Sequence, residues 1–203
     1  MSIFESFAVE GVNPSDIWQL FNCSNYHYFY KKVQDLRVGR CGFCNIDLKF
    51  NTVHFETEHW VVMENTIAPQ AGQEHQFVIP CRRHVQSFSE LTFAEVCDLL
   101  AIVQKIDRDF NITGSVSVMR SGDPARNARS MPHFHFNHHV PTGKERVEIT
   151  IAKSEKDLQK KLPILLVFKK MLENEEAGKD KLNGLSPEEF ILIDGKIAPK
   201  GSC

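Results

Sequence analysis

The sequence predicts an α+β protein whose antiparallel sheet of about five strands runs from residue 41 to 152, with an extension at each end. One long segment, residues 91–110, carries apolar side chains at helical spacing. Other segments are short and apolar or alternating, as strands are. They comprise residues 59–63, 75–80, 114–120 and 146–152. The last fifty residues are charged and helical in pattern.

Composition limits the classes of protein that the chain can belong to. Its 203 residues are 42% hydrophobic and 25% charged, which fits one globular domain with extensions. A net charge of −2 gives no broadly basic surface for nucleic acid. No apolar run approaches a membrane span, and the acidic N-terminus does not resemble a signal peptide. The six cysteines are therefore expected as free thiols or metal ligands in a cytoplasmic protein.

Local signals divide the chain into three parts. Asn13 to Asp16 predicts a turn and a helix start, and helical spacing continues to Gly39. Residues 1–40 are thus expected as a helical extension, 41–152 as the central domain and 153–203 as a second extension packed on that domain. In the last part we expect a charged helix interrupted by Pro163, a helix start at Ser186 and a hairpin at Asp194-Gly195.

The central helix has the clearest boundaries. Thr92 and Glu95 have the spacing of a capping box at its N-terminus. One apolar stripe is expected to face the core. It comprises Val96, Leu99, Leu100, Val103, Ile106 and Phe110.

Two cysteines, Cys41 and Cys44, stand at the spacing from which a tight turn can hold one metal ion. A redox pair is the alternative, but such pairs open a helix after a strand, and here strands and turns follow. A metal site is therefore favoured. A tetrahedral zinc ion needs about two further ligands, and His84, His133 and His135 are the candidates.

Residues 131–141, with the sequence MPHFHFNHHVP, contain four of the chain's nine histidines. On a strand, alternate residues share a face. His133, His135, Asn137 and His139 then form a polar face, while Phe134, Phe136 and Val140 face the core. His138 falls on the apolar face or beyond the regular strand.

These motifs together resemble the histidine-triad (HIT) superfamily over about residues 41 to 143. The resemblance rests on the order and spacing of CGFC, HQFVIP, PCRRH and SMPHFHFNHHVP. It is closest to the zinc-bearing CxxC type, with a variant His-x-His-x-Asn in place of the third triad histidine. It implies a HIT-like sheet, a homodimer and nucleotide or dinucleotide substrates.

The resemblance also implies a role for each matching residue. A structural zinc ion would be held by Cys41, Cys44, His84 and His133. His135 would be the nucleophile that attacks an α-phosphate and forms a nucleotidyl-histidine. His75, which opens the HQFVIP strand, and Ser130 would contact the phosphate.

The chain also departs from the family pattern. Asn137 can donate a hydrogen bond but cannot change protonation state near pH 7, and the transferase branches carry an amide there. PCRRH is one residue longer than usual, which leaves Cys81 as a competing ligand. The segment before the triad is rich in arginine, which suggests an anionic substrate. Arg126 and Arg129, with Asn137 and His139, are therefore expected to bind substrate; Arg120 belongs to the same segment.

Three functions fit these residues. The favoured one is a nucleotide hydrolase or nucleotidyltransferase that acts through His135. The second is a zinc-stapled nucleotide-binding protein with little or no catalysis, in which Asn137 marks lost activity. The third is a zinc hydrolase in which His133, His135 and a cysteine leave a coordination position open.

Overall fold

The computed structural model describes residues 7–23, 25–49, 51–65, 72–123, 126–127, 129–176, 190–193 and 196–199. The chain divides into two compact units. One is formed by its ends, Met1–Arg40 with Lys153–Cys203, and the other is Cys41–Ala152. The expected packing of the C-terminal extension on the central domain stays a prediction.

The central unit is built on a five-stranded antiparallel sheet, as predicted. Its strands are β1 (Asn51–Glu56), β2 (Val61–Asn65), β3 (Gln73–Pro80), β4 (Val116–Met119) and β5 (His135–Pro141). They are ordered β1-β2-β3-β5-β4, so β5 lies between β3 and the edge strand β4. This position gives the histidine-rich strand a neighbour on both sides.

The strand predicted at residues 146–152 is absent. Its alternating pattern would stabilise a strand only if the apolar side chains shared a buried face. Ile151 is instead 77% exposed, and Val147 and Ile149 are only half-buried. The segment is held in another way, because Nη2 of Arg120 donates to the carbonyl oxygen of Thr150 at 2.7 Å.

The central helix, α2 (Phe93–Asp109), begins as predicted with a capping box between Thr92 and Glu95. It lies against one face of the sheet and forms the core of this unit. Buried residues of that core include Trp60, Phe77, Leu99, Ile102, Ile106, Phe134 and Phe136. The predicted stripe was wrong at Leu100, which is 62% exposed, and it omitted Ile102, which is 2% exposed. The face that packs on the sheet is rotated slightly from the one that we expected.

The unit formed by the chain ends contains a 3-10 helix (Pro14–Asn22), α1 (Tyr26–Arg37) and α3 (Glu155–Glu176). Its core is rich in aromatic and aliphatic side chains, among them Phe21 and Phe29. Pro163 does not interrupt α3. Buried Leu165 and Phe168 follow the proline, and packing of such a face stabilises a helix more than local propensity does.

Two short strands near the C-terminus, β6 (Phe190–Ile193) and β7 (Lys196–Pro199), pair antiparallel with Ile193 opposite Lys196. This pairing agrees with the predicted hairpin, although Asp194-Gly195 and the helix start at Ser186 lie outside the described residues. No described helix has the length and apolar character that crossing a bilayer requires. The cytoplasmic location stays a prediction.

Candidate active site and metal centre

Strand β5 presents its side chains to two faces of the sheet. One face carries the three polar residues His135, Asn137 and His139, opposite Pro80, Val78 and Gln76 of β3. The other carries Phe136, His138 and Val140 against the α2 core. The polar face is also shielded from solvent, since His135, Asn137 and His139 are 5–7% exposed.

His138 belongs to the core face. Its Nε2 donates to Asp107 of α2 at 3.0 Å, and its Nδ1 lies 2.8 Å from the hydroxyl of Ser117 on β4. These two bonds tie β5 to the helix and to the edge strand. These contacts give His138 a structural role in the core, on the face of the strand opposite to His135.

His75 also lies on the core face, contrary to the expectation that it contacts a phosphate held at His135. It pairs with Val140, stacks on Phe77 and donates from Nδ1 to the carboxylate of Glu64, 3.0 Å away. A bulge in β3 between Gln73 and His75 puts the two residues out of simple alternation. His75 itself keeps regular alternation with Phe77, so its place on the core face follows from the strand pattern, whereas its expected phosphate role came only from the resemblance. The structure therefore does not bring His75 to the face of His135.

Four side chains from distant parts of the chain meet at one end of the sheet. The ligand atoms of Cys41, Cys44, His84 and His133 all lie within 4.8 Å of one another. Nδ1 of His133 is 3.3 Å from Sγ of Cys41 and 3.5 Å from Sγ of Cys44, and Nδ1 of His84 is 3.2 Å from Sγ of Cys44. Sulfur and nitrogen on a regular tetrahedron around zinc are separated by about 3.5 Å. The donor set thus fits a closed tetrahedral zinc site.

The second ring nitrogen of His133 fixes its orientation. Nε2 donates to the carbonyl oxygen of Cys81 at 2.7 Å, which leaves Nδ1 as the ligand atom. The thiol of Cys81 points elsewhere, 3.6 Å from the carboxylate of Glu95. Among the described residues His84, and not Cys81, therefore joins the cluster.

Burial affects the ionisation of the thiols and the imidazoles of the cluster in different ways. Burial, with the neighbouring Cys41, raises the pKa of Cys44 to about 11, because two thiolates side by side repel each other. Burial lowers the pKa of His133 to about 4, so that its imidazole is neutral and can coordinate. A divalent cation would reverse the cost of ionising the thiols.

His135 is held by the backbone of His133, one of the four clustered residues. Its Nδ1 donates to the carbonyl oxygen of His133 at 2.8 Å, which leaves the lone pair of Nε2 free. Burial lowers the pKa of His135 to about 4, with smaller contributions from Arg120 and Arg129. The ring of Phe43, from the turn between the two cysteines, lies 4.8 Å from the ring of His135. The residue is therefore a neutral, oriented imidazole in a place largely shielded from water.

The arginines of the segment before the triad differ in burial and in their contacts. Arg129 is 2% exposed and donates from Nη1 to the carbonyl oxygen of Gln86 at 2.5 Å. Arg120 is half-buried, and its positive charge contributes to lowering the pKa of both His135 and His139. Arg126 is exposed and is not among the charges that act on His135. Ser130 is half-buried beside Arg129.

Two polar groups complete the face. Nδ1 of His139 donates to Oε1 of Gln73 at 2.8 Å, and burial lowers the pKa of His139. The amide nitrogen of Asn137 is buried without a hydrogen-bond acceptor among the described residues.

Two residues of the site, Phe43 and Gln73, were not predicted from the sequence. Phe43 could have been found from its place inside CGFC, but Gln73 depends on the bulge in β3.

A comparison with protein families matches residues 50–145 to the HIT domain. The match covers 96 of the 203 residues and lies within the central unit. The resemblance inferred from the motifs is thus confirmed, together with the α+β fold. The HIT superfamily comprises nucleotide hydrolases and transferases, and this match supports an enzyme of that class.

Solved structures similar to the chain include several proteins that are described as HIT family members. A HIT family hydrolase from Clostridium thermocellum is 19% identical, with 54% of this chain and 96% of that chain covered and a TM-score of 0.41. A Zn-bound histidine triad family protein from Mycobacterium smegmatis is 17% identical, with 68% and 97% covered and a TM-score of 0.41. Diadenosine triphosphate hydrolase from Plasmodium falciparum is 14% identical, with 64% and 80% covered and a TM-score of 0.37. No curated protein matched the chain.

Proposed function

We propose that this protein is a nucleotide hydrolase or nucleotidyltransferase that acts at an α-phosphate through a covalent intermediate on His135. The observation that carries the proposal is the hydrogen bond from Nδ1 of His135 to the carbonyl oxygen of His133. Because Nδ1 holds the proton, Nε2 presents a lone pair to the polar face. The low pKa of the ring keeps that lone pair available at neutral pH.

The reaction takes place in two steps. Nε2 of His135 attacks the α-phosphorus, an N–P bond forms, and the bond from phosphorus to the leaving oxygen breaks with its electron pair on the leaving group. Water or another acceptor then attacks phosphorus and releases the histidine. Asn137, two residues along the same face, donates from its amide nitrogen to a phosphoryl oxygen.

The metal has a structural role in this proposal. Zinc would be held by Cys41, Cys44, His84 and His133, and with four protein ligands it has no open position for water. It supplies a fixed link between the CxxC turn and β5. That link sets the position of the His133 carbonyl, and through it the ring of His135.

The proposal is tested by trapping the intermediate. The protein is incubated with a panel of nucleotides, quenched under denaturing neutral conditions and analysed by mass spectrometry. We expect a nucleotidyl adduct on the peptide that contains His135 and loss of turnover in His135→Ala with the zinc content unchanged. His27→Ala, which removes an exposed histidine of α1, is the matched control. Turnover by His135→Ala would refute the proposal.

The second candidate is a zinc-stapled nucleotide-binding protein without catalysis. Asn137 favours it, since an amide cannot give a proton to a leaving group. It predicts nucleotide binding by calorimetry with no adduct and no product.

Two further measurements address the first candidate and the oligomeric state. Addition of orthophosphate as acceptor separates transfer from hydrolysis within the first candidate. Light scattering tests the expected homodimer.

A further inference from the structure

Within the described part of the chain, Arg120 is a cation without a carboxylate partner. Burial lowers its pKa, and none of the described acidic groups offsets that effect. Nη2 donates to the carbonyl oxygen of Thr150, but Nε is buried and has no hydrogen-bond acceptor among the described residues. A guanidinium in such a place is unfavourable unless an anion accompanies it.

A second donor without an acceptor lies on the same face. Asn137 is 7% exposed, and its Nδ2 has no acceptor within the described part of the chain. Val118 of β4 is opposite Asn137 of β5, so Arg120, two residues after Val118, continues the same face towards His135. The effect of Arg120 on the pKa of His139, further along the same face, agrees with this position.

The two donors differ in what they can bind. A neutral amide suits the phosphoryl group under attack, whereas a guanidinium suits an oxygen that gains negative charge. Arg129 is less suited to that task because the carboxylates of Asp123 and Glu90 already offset part of its charge, whereas no acidic group in the described part of the chain does so for Arg120. Arg120 is therefore the cation that remains beside the nucleophile for a bound anion.

We propose that Arg120 determines specificity by binding the anionic leaving group of a nucleoside polyphosphate, while Asn137 donates to the α-phosphoryl oxygen. This inference rests on the proposed function. As Nε2 of His135 bonds to the α-phosphorus, the bond to the bridging oxygen breaks and its electron pair passes to the departing phosphate. Arg120 offsets the negative charge that develops there. The substrate class is one in which a phosphate follows the α-phosphate.

The kinetic test compares two adenosine substrates that share the α-phosphate. In ADP the leaving group is phosphate, and in the p-nitrophenyl ester of AMP it is an aryl oxide without a phosphate. We expect Arg120→Gln to lower kcat/KM for ADP by roughly tenfold to a hundredfold, as loss of a charge-assisted hydrogen bond does. The rate with the ester should stay within about twofold, and Arg120→Lys should recover part of the loss.

Two controls make the comparison interpretable. Arg108→Gln removes an arginine of α2 that is 73% exposed. This change should leave kcat/KM for both substrates unaltered. The rate of Arg120→Gln with the ester shows that this variant is folded and that His135 is still oriented. An equal loss with both substrates, or no loss with either, would overturn the proposal, since Arg120 would then be positional or irrelevant.

A binding experiment separates this inference from the proposed function. Inorganic pyrophosphate is titrated into the zinc-loaded protein and into Arg120→Gln by calorimetry. We expect the dissociation constant to rise about tenfold in the variant. Such a rise in a protein without turnover would support the anion site and reject the catalytic proposal. Equal binding by both proteins would reject the anion site even if His135 carries the adduct.

Discussion

Glu95 shows how one buried acid organises the surroundings of the metal cluster. Its carboxylate accepts from Nε and Nη2 of Arg83 at 3.0 and 2.9 Å, and from the backbone nitrogen of Thr92 at 2.7 Å. Arg83 directly precedes the proposed zinc ligand His84. Glu95 therefore joins the start of α2 to the loop that carries this ligand.

Ionisation of Glu95 makes its contribution depend on pH. The salt bridge to Arg83 and the bonds from Thr92 lower the pKa of Glu95 from 4.5 to about 2. The native state thus favours the carboxylate, and this stability is present above pH 4.5 and lost as the pH falls towards 2. Glu95→Gln keeps a residue that suits a capping box.

We expect Glu95→Gln to be less stable than the wild type at pH 7 and the difference to shrink as the pH falls below 4.5. Urea unfolding of both proteins at each pH measures it. The comparison at equal pH cancels any loss of zinc that both proteins share. A difference that stays constant between pH 7 and pH 3 would contradict this account of Glu95.

Among the secondary structure elements, α2 shows what binds a helix to the sheet. Ile102 is 2% exposed in the core, while Leu100, two residues earlier, is 62% exposed. The same kind of truncation should therefore have unequal effects. Packing, and not apolar character, decides how much each side chain contributes.

We expect Ile102→Ala to lower the free energy of unfolding by about 2–5 kcal/mol, the usual cost of emptying such a site. Leu100→Ala should change it by less than about 0.5 kcal/mol, as exposed substitutions do. Thermal or urea unfolding gives both values. Similar losses in the two variants would mean that the helix packs through a different face.

In the whole molecule, two units with separate cores each contain one tryptophan. Trp18 lies in the 3-10 helix of the unit formed by the chain ends, and Trp60, 0% exposed, lies in the core of the central unit. All four proposed zinc ligands belong to the central unit. Fluorescence of Trp60 can therefore report what the metal does for that unit.

We expect a chelator to lower the unfolding midpoint of the Trp18→Phe protein followed by Trp60 fluorescence, because zinc binding contributes to folding stability. Cys41→Ser should lower it in the same way and should abolish the bound zinc, about one ion per chain, measured by elemental analysis. An unchanged midpoint in chelator, with zinc removed, would show that the cluster does not stabilise this unit.

Local patterns predicted most of the fold, because alternation, capping and turn signals act over a few residues. Thr92 and Glu95 defined the helix start, and the two faces of β5 followed from alternation. The prediction failed where distant packing decides. A bulge in β3 brought Gln73 beside His139, which no local pattern predicted, and an exposed Ile151 left residues 146–152 without a strand.

The candidate site was predictable as a set of residue types but not as an arrangement. The cluster of Cys41, Cys44, His84 and His133 brings together positions up to 92 residues apart. Burial separated Arg120 and Arg129 from the exposed Arg126, and no pattern in the segment distinguishes the three. The ring of Phe43 over His135 likewise depends on how the CxxC turn folds back.

His133 has two roles. Its ring faces the cysteines, and its backbone carbonyl orients the imidazole of His135. The proposed nucleophile therefore cannot be moved into another scaffold as a single histidine. A graft would have to carry the turn at 41–44, the loop at 84 and the strand from 133 as one piece. By the same reasoning, removal of the metal would abolish the proposed activity without any molecule binding at His135.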